Sequence, residues 1–140
     1  MILFHLNIYL MAKTNITLEI GLIKVQDLVA RFKEHQISYK KYGYGETATR
    51  REFIDPFFKA LGWDIDNNNG MPESYKEVIH EDKVKVGGST KAPDYSFRLP
   101  GKQKLFFLEA KQPSVKIKED HDPSYQIKRY GWSAKMSLSL

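Results

Sequence analysis

The chain has 140 residues, no cysteine, and 22 lysines and arginines against 17 acids, a net charge of +5. That length supports one self-sufficient hydrophobic core. The absence of cysteine excludes disulfide frameworks and thiolate zinc sites, the four histidines are too scattered for metal-ligand spacing, and a cytoplasmic address is the expectation.

The first ten residues, Met1 to Leu10, are the one membrane-like stretch. They fall short of the roughly 20 residues that span a bilayer, and neither a basic leader nor a small-residue cleavage site flanks them. We read them as an apolar extension, with no membrane partner: either a strand packing on the domain, or residues upstream of a natural start at Met11-Ala12-Lys13. Leu18, Leu22, Val25, Leu28, Val29 and Phe32 then recur at helical spacing, which predicts an amphipathic helix. Residues 1–45 are thus an N-terminal extension plus that helix. Tyr42-Gly43-Tyr44-Gly45 interrupts the pattern, and Glu46 opens a second helix with Phe53, Ile54, Phe57, Phe58 and Leu61 on its apolar face and Gly62 as its stop. Pro56 lies inside it and predicts a kink near Ile54 and Asp55.

Strand-like text follows at Trp63–Asp66, Tyr75–His80, Lys83–Val86, Tyr95–Leu99 and Lys104–Lys111. One short helix comes next, with Asp122 as N-cap, Pro123 as first residue and Gly131 as stop. From Ser133 a further strand begins and is cut short. The order of elements predicts an α/β domain, a central mixed β-sheet flanked by helices.

Charge is uneven along the chain. Residues 1–70 carry 9 basic and 8 acidic side chains and residues 71–140 carry 13 and 9; Lys83–Lys118 alone holds nine basic residues and two acids, Asp94 and Glu109. Such a surface suits a polyanion, nucleic acid first, with a plain solvated face as the alternative. If Pro100-Gly101-Lys102-Gln103 is the loop of a hairpin, counting back from Leu99 opposite Lys104 sets Asp94 opposite Glu109. Facing like charges are destabilising unless a cation intervenes. Alternation turns Lys111 to the same face as Glu109. Two carboxylates and a lysine form the set that metal-assisted phosphodiester hydrolysis uses: hard oxygen ligands for Mg²⁺ and a cation for the phosphate. The plain alternative is a surface ion pair between Lys111 and one carboxylate.

Pro93-Asp94 followed by Glu109-Ala110-Lys111 resembles the PD-(D/E)xK nuclease motif. Glu46-Thr47-Ala48-Thr49-Arg50, the run Phe53–Trp63, and Gln126–Ala134 extend the likeness to the N-terminal endonuclease domain of type IIG restriction-modification enzymes and the related domain of type I restriction subunits. The resemblance covers residues 46–140 and implies a restriction-endonuclease-like core in a nuclease domain truncated at its C-terminus. It implies that Asp94, Glu109 and the carbonyl of Ala110 bind Mg²⁺, with Mn²⁺ able to substitute, that Lys111 is the catalytic lysine, and that Glu46 is the helix acid of the metal site. Seven residues before Phe53, Glu46 is expected on the core-facing side of its helix; an ion pair with Arg50 is the alternative. Gln126 and Tyr130 match a QxxxY element, and with Arg50, Lys128 and Arg129 they are expected to contact DNA or support the active site. Gln112 stands where such proteins often carry lysine. The implied partners are double-stranded DNA and methyltransferase and target-recognition domains, downstream or in another subunit. A non-catalytic DNA-binding module and a basic protein-interaction domain are the competing readings.

Overall fold

The computed structural model describes residues 18–116 apart from Tyr42, Pro100 and Lys102, together with Tyr125, Lys128 and Arg129. These residues fall into two compact units: one runs through Ile65 and includes Gln112–Ser114, the other comprises Asp66–Lys111 and the described residues after Ser114. The architecture is mixed α/β, with one 17-residue helix and several short ones in the first unit and antiparallel sheets in the second. No described helix is long and apolar enough to cross a membrane.

In the first unit, α1 (Leu18–Glu34) packs on α4 (Asp55–Ala60). Its apolar repeat splits. Val25, Leu28 and Phe32 are half-buried, whereas Leu18, Leu22 and Val29, expected on the same packed face, are exposed. Beyond α1, the short helix α2 (Gln36–Tyr39) brings Tyr39 onto Phe32, with ring centroids 5.6 Å apart. Phe53 meets both rings edge-on, and Tyr44 closes the cluster 4.9 Å from Tyr39. Burial, then the neighbouring Glu52, pushes the Tyr44 hydroxyl up to about 12.

Glu46 does open the second helix, as α3 (Glu46–Thr49), and the kink expected at Pro56 takes the form of a π turn, Arg50–Ile54, before α4. The amide of Asp55 reaches back to the carbonyl of Arg50, five residues away. The cause is local: proline has no N–H to offer Glu52, and its ring would strike that carbonyl in a regular helix. The Arg31 guanidinium supplies the missing donor, bonding Glu52 O from α1, and also lies 4.7 Å from the Phe53 ring centre. Arg31→Ala is therefore expected to cost about 1–2 kcal/mol, the sum of one hydrogen bond and one exposed cation–π contact. Urea titration checks it; an unchanged midpoint would show that the carbonyl is satisfied without Arg31.

Gly62 ends α4 with φ 93°. Its amide donates to Lys59 O at 3.0 Å and that of Trp63 to Phe58 O at 3.0 Å, the paired bonds of a Schellman motif. Here the expected strand Trp63–Asp66 fails. Trp63 and Ile65 are buried in alternation, but their amides close turns instead of a ladder.

In the second unit a 3₁₀ turn, Glu73–Tyr75, shortens the expected strand Tyr75–His80 to β1 (Val78–His80). The other strands are β2 (Val84–Val86), β3 (Ser89–Lys91), β4 (Tyr95–Arg98) and β5 (Lys104–Leu108). Central β4 pairs with β1 and β5, while β2 and β3 form a separate ribbon. All described pairings are antiparallel, so the expected mixed sheet is not seen among these residues; the strand expected from Ser133 lies outside them. Tyr95, Ser96 and Phe97 are fully buried, which makes β4 the core, and Phe97 stacks on Phe106 at 4.4 Å.

Candidate active site

The β4–β5 hairpin sets the site. Tyr95 pairs with Leu108, Ser96 with Phe107 and Phe97 with Phe106, the register expected from sequence. Near the turn the register shifts: Arg98 pairs with Lys104, so the loop is longer than the four residues expected. The bulge falls at the turn end, so the other end keeps its register. Asp94 and Glu109 follow one step beyond the last pair, Tyr95 with Leu108.

Side chains complete the arrangement. Asp94 Oδ2 accepts the Ala110 amide at 2.6 Å, and Lys111 Nζ lies 3.3 Å from Glu109 Oε1. Glu109 and Lys111 are largely buried, and Ala110 is fully so. The Glu109 carboxyl is raised above its ordinary range by burial first and by the charge of Asp94 second, against the opposing pull of Lys111. Its Oε2 is buried and accepts no hydrogen bond from a described residue. Asp94, Glu109 and Lys111 thus meet as sequence reasoning expected. Among the described residues no group of three or more His, Asp or Glu side chains gathers at metal-binding distance, so the acids form a pair.

Glu46 belongs to the first unit and is exposed at the start of α3, contrary to the core-facing placement expected from its spacing to Phe53. That spacing assumed a regular helix, and the π turn at Arg50–Ile54 interrupts it. Glu46 lines an open cavity of about 710 Å³ with Gly45, Arg51, Glu52 and Gln112. Arg50 is half-buried in the π turn. Lys128 and Arg129 are helical and exposed, whereas Gln126, Tyr130 and the helix punctuation at Asp122, Pro123 and Gly131 lie outside the described residues.

Sequence reasoning missed β3. Ser89-Thr90-Lys91 has no apolar pattern, but Gly87-Gly88 after an alternating run is a hairpin signal.

Comparison with known proteins gives one informative likeness. A curated Escherichia coli protein, the type II restriction enzyme and methyltransferase RM.Eco57I, is 43% identical over 119 residues. The match covers 84% of this chain and 12% of that protein, so the chain spans about an eighth of its relative's length. No family model and no solved structure matches.

Proposed function

We propose that the chain carries a Mg²⁺-dependent endonuclease centre of the PD-(D/E)xK kind, which hydrolyses DNA phosphodiester bonds as the nuclease part of a type IIG-like restriction-modification enzyme. The observation that carries the reading is the meeting of Asp94, Glu109 and Lys111 at one end of the β4–β5 hairpin, with the Glu109 carboxyl raised by burial first and by its acidic neighbour second. The relationship to a restriction enzyme and methyltransferase supports it, and makes methyltransferase and target-recognition regions the partners we propose.

The donor set fits the ion. Two carboxylates and the carbonyl of Ala110 are hard oxygen donors, which suit Mg²⁺ or Mn²⁺ and not a soft metal. When bound, the ion supplies Lewis-acid stabilisation of the phosphate and a more acidic water. Asp94 and Glu109 concentrate the negative charge that holds it. The Ala110 amide fixes the Asp94 carboxylate in place. Lys111 orients Glu109 and adds a positive charge where the transition state accumulates a negative one.

The second reading, a non-catalytic DNA-binding module, draws on one observation: among the described residues no three-acid group forms. A plasmid assay separates the two. The parent chain is expected to nick DNA only with Mg²⁺ or Mn²⁺, and Lys111→Ala to nick at least about 10²-fold more slowly while still binding DNA at low salt. Binding without nicking in the parent would favour the module, and no binding at low salt would remove both readings.

A further inference from the structure

The β2–β3 ribbon has no place in the chemistry proposed above, and its construction is specific. Its two strands pair Val84 with Lys91, Lys85 with Thr90 and Val86 with Ser89, and among the described residues they pair with no other strand. Gly87 and Gly88 turn the chain with φ 54° and 84°, both positive as a type I′ turn requires, and the Ser89 hydroxyl bonds Val86 O at 3.0 Å across the tip. Val84 and Val86 are buried, so one face is anchored. Lys85 and its pair partner Thr90 point the other way and are exposed; Lys83 is exposed as well, and Lys91, which lies on the valine face opposite Val84, is exposed too.

The charge of this element is undiluted. No acid occurs from Lys83 to Pro93, and Asp82 at the base is paired with Lys104 at 2.6 Å. Lys83 and Lys85 share the outer face about 7 Å apart, the rise of two strand residues. The ribbon also begins and ends at the carboxylate pair. Glu81, just past β1, donates its amide to Asp94 O at 3.1 Å, and Ala92-Pro93 leads from β3 straight into Asp94.

We infer that this ribbon is a DNA-contacting arm, in which Lys83, Lys85 and Lys91 bind backbone phosphates of duplex DNA beside the Asp94–Glu109 pair; the inference rests on the nuclease reading. Duplex DNA is the polyanion that charge complementarity favours, because the site at the ribbon's base is the one proposed to act on a phosphodiester. The arm holds DNA in register without reading its sequence, since lysine–phosphate contacts carry no base information.

The test measures binding of the full chain to a duplex over a range of salt, in a Glu109→Gln background that prevents cutting. Changing Lys83, Lys85 and Lys91 together to glutamine is expected to lower the slope of log K against log[salt] by about 2–3 and the affinity in about 0.1 M salt at least tenfold, equally for unrelated DNA sequences. The matched triple change of Lys33, Lys40 and Lys41, exposed lysines of the other unit, is expected to move the slope by less than one. Equal effects of both triples, or a ribbon triple with the parental slope, would overturn the arm. Absence of DNA binding in the Glu109→Gln background at low salt would instead overturn the nuclease reading on which it rests.

Discussion

Replacing Glu109 with glutamine is expected to abolish metal-dependent nicking and, in the same protein, to raise the thermal midpoint at neutral pH. The Glu109 carboxyl is raised above the ordinary 4.5 by burial and by the charge of Asp94. Between 4.5 and that raised value the native state holds a proton that the unfolded chain has released, so stability falls as pH climbs through the interval and stays lower above it. Glutamine has no proton to lose. The variant should therefore gain on the parent from pH 4 towards pH 7.5 in chelator, although it gives up the Lys111 contact, which at 3.3 Å is long for a charge-assisted bond. If the site holds the ion as proposed, adding Mg²⁺ should then stabilise the parent, since a ligand of the folded form alone shifts the equilibrium towards it, and leave the variant unmoved. Activity should fall at least about 10²-fold. Parallel midpoint-against-pH curves for the two proteins would refute the raised Glu109 carboxyl, and nicking by the variant would refute the role in metal binding.

What could be read from sequence depended on how local each determinant was. The Tyr95–Phe97 pairing and the placement of Asp94 and Glu109 followed from strand alternation and a turn signal, both local. The bulge near Arg98 did not, because distant groups hold that residue: its amide donates to Glu77 O at 2.8 Å, and its guanidinium to Lys76 O at 2.7 Å and to Glu73 O. Pro56 announced a break in the second helix, but not the donor that satisfies the carbonyl it leaves open, since Arg31 reaches Glu52 O from α1, a contact across 21 residues of sequence. The exposure of Glu46 followed the same course, since spacing arguments assume a uniform helix. Trp63–Asp66 was misread because alternation reports which side chains are buried, not whether the backbone has a strand beside it.

The least legible contact carries the second large effect. Asp94 Oδ2 accepts the amide of Ala110 at 2.6 Å, one step past the end of the ladder, so the acid proposed to hold metal also ties the two strands together. Two substitutions separate these roles. Asp94→Asn keeps an oxygen that can accept the Ala110 amide but removes the charge, so the fold should hold, Glu109 should titrate nearer the ordinary range, and Mg²⁺ affinity and nicking should be lost. Asp94→Ala removes the acceptor as well and leaves the amide of a residue only 1% exposed without it. That variant should lose about 1–3 kcal/mol, or several degrees in Tm, in addition to its activity. Denaturation curves and calorimetric Mg²⁺ titration of both proteins check the pair. Equal stability of the two variants would mean that the strands need no clamp, and Mg²⁺ binding retained in either would mean that Asp94 is not a ligand. Because the same carboxylate meets a backbone amide one step past the β4–β5 ladder, its position is set by the hairpin itself, before any metal ion arrives.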